Sequence, residues 1–326
     1  MASIKDVAEK ANVGRATVSR VLNNSGYVAE ETRKKVLQAM EELNYAPNEL
    51  ARNLYHNKSG IVAILVPSIS HPFFGEFVDY CEAELHRRGY KAMICNTSRS
   101  EDEEQEYLDM LKRSVVDGII TGAYSLDVDA YSRIDRPIVA LDRYINEDIP
   151  VVAVDHIVGG RLAAQELIDC GCRSILHIRG SFKVESPSHD RHKEFNRIMA
   201  EQGITVHTCE FEWDSFDIAY LRKVIADILD TGIEIDGVFG VDIAAMECMN
   251  ECVSRGMKVP EDVKIVAYDG TYVLEMSEMK ITSIVQPIDR LAAEAVRLIA
   301  NMIDGKTYID RQTLMDVSFV RGKTTQ

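Results

Sequence analysis

Apolar positions recur in two rhythms along this chain, and the change falls near residue 60. In the first part the spacing is helical. Ile4, Val7, Ala8 and Ala11 share one side of a segment opened by Ser3 with Asp6 three residues on, the spacing of a capping box. Asn12, Val13 and Gly14 interrupt that rhythm, and Val18, Val21 and Leu22 resume it at i, i+3 and i+4 over residues 16–23. Two short helices joined by a three-residue turn containing glycine predict a helix-turn-helix. With the apolar side of the second helix inward, Ala16 and Arg20 project opposite it, Thr17 and Ser19 flank them, and Arg15 sits at the tip. A third helix, about 30–44, buries Val36, Met40 and Leu43 and leaves Arg33, Lys34 and Lys35 outside. Pro47 then suits the start of one or two helical turns, too short to persist without a partner.

From Gly60 the pattern becomes continuous apolar runs alternating with helices, beginning at Ile61, which is the pattern of parallel α/β sequence. An order of strand, helix, Arg88-Gly89-Tyr90, strand, acidic helix and Asp117-Gly118-Ile119-Ile120 recurs later. There it reads strand 174–178, helix, Gln202-Gly203-Ile204, strand, helix and Asp236-Gly237-Val238-Phe239. Two halves built alike predict a duplicated doubly wound unit with a crevice between them, where ligands meet the carboxyl ends of strands.

The residues at those strand ends carry chemistry. Phe73 and Phe74 follow the first strand, Asp142 and Asp269 end two others, and Asp242 follows Phe239-Gly240-Val241. Arg191 lies near the start of a helix opened by Ser186-Pro187-Ser188, and Trp213 is the single tryptophan. Carboxylates, a guanidinium fork and aromatic faces can hydrogen-bond to sugar hydroxyls and stack on a sugar ring. Structural roles compete: the two aspartates can pair with neighbouring arginines, and the tryptophan can be core.

Composition narrows the choices. The net charge of −15 opposes binding to phosphates, but its distribution reverses that for the first 59 residues, where nine Lys or Arg face seven acids. The remainder holds 28 basic and 45 acidic residues, so only the head suits DNA. No apolar run approaches the roughly 20 residues that a bilayer demands, and the first residues lack the apolar core of a signal peptide, so a cytoplasmic protein without a membrane partner is expected. The seven cysteines lack zinc-like spacing, and no pattern calls for a metal or cofactor.

The runs Ile4-Lys5-Asp6-Val7-Ala8-Glu9-Lys10-Ala11, Thr17-Val18-Ser19-Arg20-Val21-Leu22-Asn23, Thr32-Arg33-Lys34-Lys35-Val36, Leu43-Asn44-Tyr45 and Pro47-Asn48-x-x-Ala51-Arg52-x-Leu54 closely resemble the lactose-repressor (LacI-type) family of bacterial transcriptional regulators. His71-Pro72-Phe73-Phe74, Leu141-Asp142-Arg143, Asp190-Arg191-x-x-x-Phe195, Tyr268-Asp269 and Thr282-x-x-x-Gln286-Pro287 extend the resemblance over the body. It implies a helix-turn-helix head and a periplasmic-binding-protein-like body of two doubly wound parallel-sheet subdomains. The expected divisions are a head over 1–46, a hinge over 47–59 and a body over 60–326. Within the body, one subdomain takes about 60–154 with 286–312 and the other about 155–285 with 313–326.

By the same resemblance Arg15, Ala16 and Arg20 read bases and Leu54 wedges into a minor-groove step, with Thr17, Ser19, Asn23, Asn48 and Ala51 completing the DNA-contacting set. Arg191 and Asp269 align with effector-binding positions and Trp213 with a stacking aromatic, joined by Phe73, Phe74, Asp142 and Asp242. Four departures stand out. Gly14 and Ala29 replace a capping serine, and alanine favours a late start for the third helix; Val241 and Ile288 replace residues common in sugar responders. The implied protein is a homodimeric repressor that binds double-stranded operator DNA under control of a sugar or sugar phosphate. Nucleobase-responsive and global carbon regulators of the same family are the alternatives. No leucine heptad follows the amphipathic helix expected near 289–302, which favours a dimer over a four-chain assembly. An exported sugar-binding protein and a sugar-metabolising enzyme using Asp142, Asp269 or His177 are the rival classes. The head opposes the first, and the lack of a phosphate loop, nucleophile elbow or metal cluster opposes the second.

Overall fold

A computed structural model describes residues 2–22, 25–45, 58–97, 103–123, 128–132, 134–183, 185–212, 217–306 and 311–326. The chain divides into a unit over 1–60 and a unit over 61–326.

The first unit contains helices α1 (Ile4–Lys10), α2 (Arg15–Leu22) and α3 (Glu30–Glu42). Ser3 caps α1 through the reciprocal box with Asp6, whose carboxylate accepts from the Ser3 amide at 2.8 Å. Asn12 turns the chain between α1 and α2 at φ +52, a conformation that asparagine tolerates better than most side chains. Val7, Val18, Val21 and Val36 are fully or almost fully enclosed, and Ala39 joins them. Met40 and Leu43 pack at the margin half-buried, because three short helices offer too little surface to enclose a third row. α3 starts at Glu30 although Ala29 provides no side-chain cap. Glu30 and Glu31 in its first turn face the positive end of the helix dipole and offset the missing cap.

The second unit contains two six-stranded sheets. The first has the order β11-β5-β4-β3-β1-β2, from β1 (Ile61–Val66), β2 (Lys91–Asn96), β3 (Gly118–Thr121), β4 (Ile138–Leu141), β5 (Val151–Val154) and β11 (Gln312–Met315). The second repeats it as β12-β10-β9-β8-β6-β7, from β6 (Ser174–Arg179), β7 (Thr205–Glu210), β8 (Gly237–Val241), β9 (Lys264–Asp269), β10 (Thr282–Val285) and β12 (Ser318–Val320). Every pairing is parallel except β10 with β12. The chain passes between the lobes after β5, β10 and β11. Since β11 pairs with β5, the first lobe reclaims the chain as far as Met315 and does not end at 312.

Helices cover both faces of each sheet, as buried parallel strands require. On the first, α4 (Pro72–Arg87) and α11 (Ile288–Ile303) pack Phe77, Leu85, Leu291 and Ile299 on one face, and α5 (Glu103–Lys112) and α6 (Asp129–Ser132) close the other. On the second, α7 (His156–Asp169) and α8 (His189–Glu201) oppose α9 (Ile218–Asp230) and α10 (Asp242–Ser254). Two glycines set the α7 position: a Cβ on Gly159 would lie 2.5 Å from the Tyr268 hydroxyl, and one on Gly160 would lie 2.2 Å from the Arg191 carbonyl oxygen. α7 can therefore approach both residues only through bare backbone.

Gly160→Ala is expected to push α7 off α8 and lower stability by about 1–3 kcal/mol in urea unfolding. Gly180→Ala, where an added Cβ meets nothing within 4 Å, should unfold like the wild type.

Candidate functional site

The exposed side of α2 presents Arg15, Ala16 and Arg20 to solvent, with Thr17 and Ser19 half-buried beside them. The cause is the spacing of Val18 and Val21, which point that face away from the small core. Two arginines and a methyl group on one short helix can donate to guanine and contact a thymine methyl. Asn23, Asn48, Ala51 and Leu54 lie outside the described residues, as does Trp213.

In the body, the carboxyl ends of strands from both lobes converge on a cavity of about 190 Å³. Phe73 and Phe74 wall it from the start of α4, in edge contact at 5.3 Å between ring centroids, with His71 beside them. Asp142 follows β4, Asp269 ends β9, and Arg191 projects from the first turn of α8. Four of the expected effector contacts on the first lobe and at strand ends, with Arg191, thus meet in one space. Asp242 does not line it. The Asp242 carboxylate accepts from the Thr271 amide at 2.6 Å and the Thr271 hydroxyl at 2.7 Å, so it fixes the turn after Asp269 from behind, while its neighbours Val241 and Ile243 form the wall.

Both cavity carboxylates sit on unusual backbone, with φ +48 at Asp142 and +116 at Asp269. Such conformations cost on the order of 1–3 kcal/mol for an L residue and need surrounding contacts to hold them. Next to Asp142, the buried Arg143 donates to Glu104 at 3.0 Å and to the Ala123 carbonyl at 2.8 Å, with Tyr131 also hydrogen-bonded to Glu104. At Asp269, Gln286 donates Nε2–H to the carboxylate at 2.8 Å and its backbone amide to the Asp269 carbonyl at 2.9 Å.

Arg191 is held by polar groups of fixed direction. Its Nε–H donates to His192 Nε2 at 3.3 Å, His192 Nδ1 meets His177 Nε2 at 2.8 Å, and His177 Nδ1 meets Asn196 Oδ1 at 3.0 Å. Because guanidinium only donates, His192 accepts at Nε2 and donates from Nδ1, and His177 in turn donates to Asn196. Both imidazoles are neutral in this order. Burial, with the nearby guanidinium charges, holds His192 well below the usual histidine range and His177 at about 3. The guanidinium also lies 4.3 Å from the centroid of the Tyr268 ring, and the Tyr268 hydroxyl meets His156 Nδ1 at 3.0 Å. His156 Nε2 reaches Asp142 Oδ1 at 3.0 Å, so this second chain passes from one lobe to the other. Ser186 adds a hydroxyl bond to the Asp142 carbonyl at 2.6 Å, and Glu76 accepts from the Tyr272 amide at 2.5 Å.

Sequence reasoning missed His156, His192 and Gln286. Gln286 stood inside a recognised motif, and His156 follows the first passage between lobes. Nothing in the helical rhythm distinguishes His192 from a solvated histidine.

A DNA-reading head joined to a two-lobed ligand-binding body is the class that this fold and site define. Residues 3–48 match the model of bacterial regulatory proteins of the lacI family, and residues 164–325 match that of a periplasmic binding protein-like domain. The chain belongs to the lacI family. It is 40% identical to a ribose operon repressor of Halalkalibacterium halodurans over 94% of this chain and 92% of that protein. It is 32% identical to a sucrose operon repressor of Pediococcus pentosaceus over 98% of both. Its fold superimposes on the lac repressor dimer bound to operator and an anti-inducer with a TM-score of 0.86 and 25% identity, over 99% of each chain. Among the described residues no helix is long and apolar enough to cross a membrane.

Two outcomes follow from this geometry. Burial pushes the Asp269 carboxyl up to about 6; Arg191 and Gln286 pull the other way, while Asp142 and Glu76 add to the rise. A raised acid favours the fold while protonated, so its contribution is complete below the unfolded value and is lost as pH rises through about 6. Asp269→Asn should therefore gain on the wild type between pH 4.5 and 7.5, by on the order of 2–3 kcal/mol in paired urea unfolding curves. Equal pH slopes for the two proteins would contradict the assignment. Separately, His192→Leu should weaken effector binding about 5- to 30-fold by releasing Arg191. Titration calorimetry on the two proteins reads the change, and equal affinities would show that His192 does not hold Arg191.

Proposed function

We propose that this protein is a repressor of a carbohydrate-utilisation operon, a cytoplasmic homodimer whose affinity for operator DNA is set by a small sugar-like effector in the crevice. The observation that carries the reading is the convergence of Asp142, Arg191 and Asp269 at strand ends between two lobes, in a chain whose head exposes Arg15, Ala16 and Arg20. The names of the ribose and sucrose operon repressors similar to it support a sugar as effector. The crevice serves reversible binding and not turnover. His177, the imidazole that the sequence offered beside Asp142 and Asp269 for an enzyme, is enclosed behind His192 and held at about 3, far below a working base at neutral pH.

Effector and operator are coupled through the lobe angle. Asp142 contacts His156 and Ser186 across the lobes and also faces the cavity, so occupancy and closure bias each other. Binding-site selection with Arg20→Ala should relax preference at one operator position, at a cost of about 1–3 kcal/mol. Arg191→Ala should keep the wild-type operator profile and lose the response to sugar. By linkage, wild-type effector affinity must differ between free protein and operator complex by the factor through which effector changes operator affinity. An Arg191→Ala protein that still responds, or a wild type with one effector affinity in both states, refutes the reading.

A further inference from the structure

Resting on the crevice as the sugar site, we infer that its ligand is a single neutral sugar ring, neither phosphorylated nor joined to a second ring. The first ground is charge. Among the described residues that line the cavity, Arg191 is the one guanidinium or ammonium group, against the carboxyls of Asp142, Asp269 and Glu212. The neighbouring imidazoles add no positive charge, since burial and Arg191 hold His71 and His189 at about 4. A phosphate dianion would enter a space where acids outnumber the single fixed cation, which raises the cost of bringing its charge there.

The second ground is that the helix start nearest Arg191 is already used. A helix N-terminus usually welcomes phosphate through its leading amides. At α8 the Ser188 amide donates to the Ser186 hydroxyl, the His189 amide to the Ser186 carbonyl and the Asp190 amide to the Pro187 carbonyl. Asp190 adds a carboxylate to the first turn. At α4, across the cavity, Pro72 occupies the first helical position and brings no N–H.

The third ground is the polarity of the remaining groups. Gln286 is 4% exposed, its Nε2–H is committed to Asp269, and its Oε1 has no hydrogen-bond partner among the described residues. An acceptor buried in this way needs a donor. Oε1 and the carboxylates of Asp142 and Asp269 together call for several O–H groups on one small molecule, while Arg191 donates to a ring or hydroxyl oxygen. Neighbouring hydroxyls on a sugar ring match that set, and the apolar walls of Phe73 and Phe74 suit the ring's C–H groups. A planar base places its N–H donors in one plane, whereas a sugar ring spreads its hydroxyls around the ring edge and offers C–H faces to the two phenylalanines.

Size supplies the last ground. A cavity of about 190 Å³ is below the roughly 300–1,000 Å³ of pockets for drug-sized ligands, and it suits one ring better than two.

The test is titration calorimetry on the full chain with the aldopentoses, aldohexoses and ketohexoses. The comparison set is their terminal phosphates, sucrose, cellobiose, hypoxanthine and guanine. At least one free monosaccharide is expected to bind, and its phosphate at least about tenfold more weakly. Gln286→Leu should weaken the monosaccharide by about tenfold or more through loss of the acceptor. Tighter binding of a sugar phosphate, disaccharide or base, or no binding by any monosaccharide, overturns the inference, as does a Gln286→Leu protein that binds like the wild type. Arg191→Ala separates the two levels of failure. If it abolishes binding of a phosphate or disaccharide, the crevice stands and only the ligand class falls; if it leaves tight binding intact, the crevice itself is misplaced.

Discussion

A guanidinium lodged at the meeting of two lobes is the constraint around which the site is built. Arg191 forms no direct ion pair with a described carboxylate; its partners are the face of Tyr268 and the ring nitrogen of His192. Arg191 is half-buried, and a cation withdrawn from water among neutral groups is costly unless carboxylates stand near enough to offset its charge. Asp269 and Asp142 meet that need without touching it. This arrangement keeps the guanidinium, which lines the cavity, out of a bidentate salt bridge that would have consumed its terminal N–H groups. The same charge acts on its surroundings, lowering the affinity of His71, His189 and His192 for protons.

Holding that cation in place draws on features far from the crevice in sequence. Gly159 and Gly160 let α7 press against Tyr268 and Arg191, His177 and Asn196 complete the polar chain behind His192, and Gln286 steadies Asp269 after the second passage between lobes. Each element does a local task that a different residue would do well elsewhere. Alanine is the better helix former than glycine, and a leucine would pack more simply than His192. Their presence marks where binding geometry outranks local stability.

This explains what could be read from the chain beforehand. The two sheets and three head helices announce themselves because burial on a regular period leaves a regular trace, as in 61–66 or in Val18, Val21 and Leu22. Asp142 and Asp269 were legible because strand ends in doubly wound folds are where ligands bind, and Arg191 because it stands in the first turn of a helix that opens on the same crevice. His156 and His192 were not, since their function depends on partners 112 residues away in the one case and on ring orientation in the other. Asp242 misled for a related reason: a carboxylate one residue past a strand can face the crevice or cap the next turn, and sequence does not separate these. The last strand of the first lobe was the least legible, because β11 joins it by pairing with β5, about 160 residues earlier in the chain, without a local signal.

The polar contacts between lobes show how a small ligand can have a large effect. Asp142 accepts from His156 through its side chain and from Ser186 through its backbone, and Glu76 reaches the Tyr272 amide from the opposite lobe. Each such bond contributes about 0.5–1.5 kcal/mol net, more where a charge takes part. Coupling of 1–3 kcal/mol corresponds to about 5- to 150-fold in affinity. Gaining or losing two of these three contacts on a change of lobe angle therefore covers the range that regulation needs, without rearrangement of either core. The ligand has to bias only the atoms it already touches, because Asp142 belongs both to the cavity wall and to the bridge between lobes.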